Sequence, residues 1–301
     1  MRRLTVRGVS ILGVECELGS REVDNRETCR LLFGERAEAV LKTTGILKRR
    51  VAAEGETSSG LCVKAARQLM ERLGVRPEEI AAVVSVSFTP EKEMPGNAHL
   101  MQSALGLRDD TAAMDLGHAC AGYVYGLYAA AGLARDLDGK VLLLDGDVQT
   151  RLASMDTAAL LSDAGSATMV GPGDEEWKFA FWSDGGRADE LKVEGGKLKM
   201  DGFGVFKFVA SDVSGWAEEF LAGEQVEKFV PHQANVYMAR ELAKKLKLEA
   251  ELMVSGDEVG NCASASIPVT LAMKNGGREK GRTLLAGFGG GLSAAMALID
   301  A

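Results

Sequence analysis

DLGHACAGYVYGLYAAAGLAR, residues 115–135, decides how this chain is read. Between Asp115 and Arg135 no side chain carries a formal charge. An uncharged run of that length approaches the ~18 residues that mark a membrane-spanning candidate. Its composition argues otherwise: it holds His118 and four glycines (Gly117, Gly122, Gly126, Gly132), is rich in alanine, and lacks the leucine and isoleucine density of a lipid-facing span. A helix apolar on all sides and lined with small residues suits the centre of a large core. The segment is read as a buried helix that Cys120 opens.

On either side, strand-like and helix-like runs alternate. Leu4 to Val14 reads as a first strand, and AAVVSVSF (81–88), KVLLLDGDV (140–148) and ATMVG (167–171) follow. WKFAFWSDG, EKFVPHQ, ELMVSG, RTLLAGF and SAAMALI do the same in the second half. Between them, residues 57–75 open on Thr57 or Ser58 as a helix N-cap. Residues 235–247 carry Val236, Ala239, Ala243 and Leu246 on one helical face and Arg240, Lys244 and Lys247 on another. Such alternation implies an α/β protein whose helices cover a mixed sheet. No proline- or serine-rich linker divides the chain, and its one soft zone is the polar, glycine-rich stretch 184–204. The preferred partition is two halves, 1–170 and 171–301, sharing one core.

Composition narrows the function classes. The 301 residues carry a net charge of −8, and a pI near 5.2 argues against binding nucleic acid, which needs a basic field. Hydrophobic residues at 46% and charged residues at 26% exclude a disordered chain. Five cysteines, an odd number, fit a reducing compartment better than a disulfide framework. Arg7 and Glu15 interrupt the apolar N-terminal residues, so a signal peptide is not read there and a cytoplasmic location is expected. No CxxC, HExxH or EF-hand pattern occurs, and the cluster Gly287-Phe288-Gly289-Gly290-Gly291 lacks the last glycine of a dinucleotide fingerprint, because Leu292 stands there. Neither a metal nor a cofactor is expected.

Three residues stand out chemically. Cys120 sits at the predicted helix start, where the positive end of the macrodipole lowers a thiol's pKa and favours a nucleophilic thiolate. The alternative is a small buried hydrophobe, which remains the reading for Cys16, Cys29, Cys62 and Cys262. His232 lies in FVPHQAN, between a strand and the helix that Asn235 is placed to cap; there it reads as either a catalytic or a hydrogen-bonded structural histidine. Asn261, in EVGNCASASIPVTLAM, reads as a turn and capping residue unless its neighbours make it functional. His99 and His118 are assigned no role.

ACAG around Cys120, PHQAN around His232, GNCASASIP around Asn261 and FGGGL at 288–292 occur in the order and spacing of β-ketoacyl-acyl-carrier-protein synthase III. SDAGSA (162–167), MDGFGVFKF (200–208) and TTGILKRR (43–50) resemble further segments of that family, so the resemblance spans nearly the whole chain. It implies the thiolase fold: two βαβαβαββ halves forming a five-layer αβαβα sandwich, usually a homodimer. It also implies that Cys120 accepts an acyl primer from a CoA or carrier-protein thioester. His232 and Asn261 would hold the carbonyl oxygen of a malonyl thioester on acyl carrier protein while carbon dioxide leaves. The N–H groups of Cys120 and Gly290 would form the oxyanion hole. Phe288, Asn235, Gly202, Phe206 and, from a loop crossing the dimer, Met94 would bind substrate. Such a decarboxylative condensation belongs to fatty-acid biosynthesis or a related pathway.

The chain also departs from that family's pattern. Ala39 and Thr43 stand where a tryptophan stacks on CoA, and Met155 and Thr157 where an arginine is expected. Tyr237 replaces an arginine used in docking the carrier. Arg240, Lys244, Lys245 and Lys247 are then left either as a basic docking face for an acidic carrier or as a solvated helix face. Glu91 and Glu93 put charge into the loop 90–97, as surface residues or as selectors of an unusual primer. The rival readings are a specialised homologue of secondary metabolism or biotin-precursor synthesis, a non-catalytic partner subunit, and a cysteine hydrolase, since papain-like enzymes also order Cys, His and Asn.

Overall fold

The structure, a computed structural model, describes residues 2–275 and 281–300. Its main sheet holds nine strands: β1 (Leu4–Leu18), β2 (Ile80–Val86), β3 (Ala112–Leu116), β4 (Lys140–Asp147), β5 (Ala164–Ser183), β6 (Lys228–Pro231), β7 (Glu251–Leu252), β8 (Arg282–Gly289) and β9 (Ser293–Asp300). The order is β7-β6-β8-β9-β5-β4-β2-β3, with β1 paired to β5. Residues 164–170 of β5 pair antiparallel with β4, and residues 178–183 pair antiparallel with β9. Counted in chain order on each side of this shared strand, both sets of five run 3-2-4-5-1. The repeat that sequence similarity implied is thus visible as strand order.

Why the strands read as continuous apolar runs follows from what covers them. Val141 and Leu143 of β4 face the helix Gly122–Leu137, while Leu142 and Leu144 face the helix Ser58–Leu73. On the other side, Leu285 joins the central cluster and Leu284 packs among Phe208, Phe220, Met238 and Leu242 of the outer helices. Both faces of each set of strands are therefore buried, which generates five layers: helix, sheet, central helices, sheet, helix. The central layer consists of Gly122–Leu137 together with Ser266–Asn275, which contributes Ile267 and Leu271. Its tight seat depends on Gly126: a Cβ there would lie 2.6 Å from Leu143 Cδ1 and 2.7 Å from Val86 Cγ2. Among the described residues, no helix is long and apolar enough to cross a membrane.

Several expectations need correcting. The runs 167–171 and 177–185 are one strand, because Pro172 and Glu175 both pair with Val9 and leave Gly173 and Asp174 between them as a bulge. The strand at 227–233 shrinks to β6, and that at 251–256 to the two residues of β7. The soft zone 184–204 contains a hairpin, Leu191–Glu194 against Lys197–Met200, turned by Gly195 and Gly196 at φ 59° and 70°. Two consecutive positive φ values suit a tight hairpin turn, and glycine supplies them without steric cost. Arg187 braces its base, with Nε 2.6 Å from Glu190 and Nη1 3.0 Å from Asp212.

Candidate active site

The loop leaving β3 brings Cys120 to the end of the central helix. That helix begins at Gly122 with Ala121 as N-cap, so Cys120 precedes the cap rather than opening the helix. The backbone N–H groups of Gly290 and of Cys120 itself favour its thiolate, but burial outweighs them and pushes the thiol pKa up to about 11. The lowered value expected from the helix start is corrected. A macrodipole contributes at most ~2 kcal/mol, and only within the terminal turn, whereas the protein packed around this half-buried sulfur disfavours its charged form. Alkylation by iodoacetamide should therefore quicken about tenfold per pH unit from pH 7 to beyond pH 9. A plateau below pH 8.5 in the Cys120-specific rate, taken against a Cys120→Ala control, would contradict this.

His232 follows β6, its own N–H donating to Ala286 O at 2.7 Å. The ring is 1% exposed, and Nδ1 lies 2.8 Å from Ser266 Oγ. Ser266 Oγ accepts a long 3.4 Å bond from the Gln233 N–H, so its own proton is free for Nδ1. On that assignment Nε2 carries the ring hydrogen and is the donor. Burial, partly offset by the Ala263 backbone, depresses the imidazole pKa to about 4, so it is neutral at pH 7. Phe288 meets it edge to face, with centroids 5.5 Å apart.

Asn261 is strapped to the first half of the chain. Its N–H donates to Leu160 O at 3.0 Å, and its carbonyl accepts from Ser162 N–H and Gln149 Nε2, each at 2.7 Å. Its side-chain oxygen accepts from Ala263 N–H at 2.9 Å, while Nδ2 donates to Ala234 O at 3.3 Å. One Nδ2 hydrogen thus remains for a ligand. Gln149, which no sequence motif singled out, is the residue that joins this loop to β4's end.

Cys120, His232 and Asn261 line one cavity of about 710 Å³. Phe288, Asn235, Gly202, Phe206 and Gly290 line it too, as do Thr43, Gln149 and His118. Most of the remaining wall is apolar, supplied by Phe88, Leu160, Leu161, Leu198 and Val205. Asn235 caps the helix Val236–Leu246 by accepting from Met238 N–H at 2.7 Å. Met94 does not line this cavity and stands 86% exposed. Glu91 Oε1 accepts from Ser59 N–H at 2.9 Å and so caps the helix Ser58–Leu73, which gives it a structural role. Arg240, Lys244, Lys245 and Lys247 are exposed; Lys244 pairs with Glu241 at 2.6 Å, and the Lys245 ammonium donates to Ala210 O. Thr157 is buried with its hydroxyl bonded to Ser154, and Met155 is exposed, so neither offers a cation in the missing arginine's place. The glycine that the thiol demands is Gly289, at φ +156°, where a Cβ would sit 2.7 Å from Cys120 Sγ; at Gly290 the nearest neighbour would be 3.7 Å away.

Over 302 residues the chain is 33% identical to the β-ketoacyl-[acyl-carrier-protein] synthase III of Rubrobacter xylanophilus, covering 94% of this chain and 95% of that one. The chain belongs to the synthase III family. Two family models match this synthase: 3-oxoacyl-[acyl-carrier-protein] synthase III over residues 114–185, and its C-terminal counterpart over 217–301. An acetoacetyl CoA synthase of Streptomyces sp. is 31% identical, with 96% of this chain and 98% of that one covered. The crystal structure of a 3-oxoacyl-(acyl-carrier protein) synthase from Burkholderia xenovorans superposes with a TM-score of 0.94 at 28% identity, covering 99% and 95% of the two chains. The five layers are those of the thiolase fold, and this synthase III is a condensing enzyme of the acyltransferase class.

Proposed function

We propose that this synthase III catalyses decarboxylative condensation of an acyl thioester primer with malonyl-acyl-carrier protein through an acyl-enzyme on Cys120. The observation that carries the reading is the single cavity on which Cys120, Gly290, His232 and Asn261 meet. The thiol attacks the primer carbonyl, whose oxyanion the Gly290 and Cys120 N–H groups receive. The carrier thiol leaves with the proton, and the acyl group stays on sulfur.

In the second step the bond from the malonyl α-carbon to its carboxylate breaks. Its electron pair forms an enolate on the thioester, and His232 Nε2–H and Asn261 Nδ2–H donate to the enolate oxygen. A neutral imidazole suits this task, since it gives a hydrogen bond without trapping the enolate by proton transfer. The enolate carbon then attacks the acyl carbonyl, and Cys120 leaves as a thiolate and regains a proton. Phe288 keeps water from the carbanion side. The Asn261 side chain bonds to Ala234 and Ala263, not to His232, so the base-and-orienter chain of a cysteine hydrolase is not assembled.

Arg240, Lys244, Lys245 and Lys247 form the face for an acidic carrier, and Met94 reaches the cavity of a second copy in a homodimer. Segments 1–170 and 171–301 act as two halves of one catalytic unit. Intact-mass measurement after incubation with acyl-CoA and acyl-carrier thioesters tests the reading. Wild-type protein should gain one acyl mass, and Cys120→Ala none. No gain with any thioester, or an equal gain in Cys120→Ala, would overturn it.

A further inference from the structure

Gln149 does more than brace Asn261. Its two amide hydrogens go to backbone carbonyls, Asn261 O at 2.7 Å and Ser162 O at 3.1 Å. Flipping the amide would set its oxygen against both of those acceptors, so the orientation is fixed. Oε1 is left with no donor among the described residues. Although Gln149 as a whole is only 3% exposed, it lines the cavity that holds Cys120, and Oε1 is not sealed inside the protein. His118, two residues before the thiol, lines the same cavity. Its ring stacks on Tyr125 with centroids 4.4 Å apart, its Nδ1 is enclosed with no hydrogen-bond partner among the described residues, and Nε2 is the nitrogen left to meet a ligand.

Resting on the acyl-enzyme reading above, we infer that Gln149 and His118 select an acyl primer carrying a hydroxyl on its chain over the plain alkyl primer of equal length. An alkyl chain would strip water from both polar groups and return nothing, which is the condition under which a site rejects an analogue most strongly. A hydroxyl donates to Gln149 Oε1 and can donate to or accept from His118 Nε2, whichever tautomer is present. A carboxylate is disfavoured, because Oε1 offers only lone pairs. Lys192, the one lysine or arginine among the described residues lining the cavity, is paired with Asp189 at 3.0 Å and Glu194 at 3.1 Å. An amine finds no carboxylate among those lining residues.

The test follows Cys120 acylation by intact mass over time, using N-acetylcysteamine thioesters so that carrier docking plays no part. β-Hydroxybutyryl and γ-hydroxybutyryl thioesters are compared with the butyryl thioester. Wild-type protein should load at least one hydroxylated primer faster by about tenfold, and Gln149→Leu should bring that ratio towards one. Because Gln149→Leu also loosens Asn261, His118→Phe provides a second arm that leaves that brace in place, and it should reduce the ratio as well. A wild-type ratio at or below one, or a ratio unmoved in both variants, overturns the inference. If no primer loads even the wild type, the acyl-enzyme reading itself fails, which is a different result.

Discussion

Alanine in place of His232 should leave Cys120 loading within a few-fold of wild type and lower condensation by about 10²–10³-fold, and Asn261→Ala should do the same. On the proposed mechanism each removes one donor from the enolate oxygen, and a preorganised donor in a water-excluded site contributes about 2.7–4 kcal/mol. Loading does not pass through that oxygen, so the two half-reactions should separate. The measurement is paired: acyl mass on Cys120, and release of labelled carbon dioxide from malonyl-carrier thioester. Condensation retained in His232→Ala, or loading lost along with it, would contradict the assignment. The pH profile offers a second check. A ring whose pKa is depressed to about 4 by burial stays neutral as pH falls through 6.5, so decarboxylation should show no histidine titration between pH 5.5 and 7.5.

The second large effect concerns a residue with no functional group. Gly289→Ala places a Cβ 2.7 Å from both Sγ and Cβ of Cys120, and it does so at φ +156°, where a side chain is strained whatever the space. Either the sulfur moves or strand β8 does, and both would draw the Gly290 N–H off the position proposed for the oxyanion. Near-attack geometry tolerates little, and displacement by about 1 Å can cost 10²-fold. Cys120 acylation in Gly289→Ala should fall by at least about that factor. Gly290→Ala, which keeps its N–H and meets its nearest neighbour at 3.7 Å, should fall far less. The reverse ranking would show that the glycine run serves the loop's fold rather than the thiol.

Much of this was legible in residue order. ACAG, PHQAN and GNCASASIP pointed to three side chains that the fold brings to one cavity, and the uncharged stretch after Asp115 disclosed the central helix without any contact information. Legibility ended where a property depended on surroundings. The Cys120 pKa was misjudged because a helix terminus can be read from sequence and burial cannot. Gln149 carried no signal, since an amide at a strand end looks like any polar loop residue until two carbonyls from elsewhere meet it. The hairpin at 191–200 hid behind its composition, although Gly195-Gly196 between Val193 and Leu198 is the turn such a hairpin needs. Between the strand-like runs 167–171 and 177–185 the chain does not break: Pro172 and Glu175 both pair with Val9, which absorbs Gly173 and Asp174 as a bulge.

Strand β5 also dictates an order of assembly. Leu4 through Leu18 find their partners only between Ala164 and Phe179, half the chain later, so on the ribosome β1 waits unpaired while β2, β3 and β4 emerge. Pairing between such distant segments pays its loop-closure entropy before any contact rewards it, which slows folding. Until β5 arrives, an apolar strand edge stands open to other nascent chains, and it is there that chaperones would have most to protect.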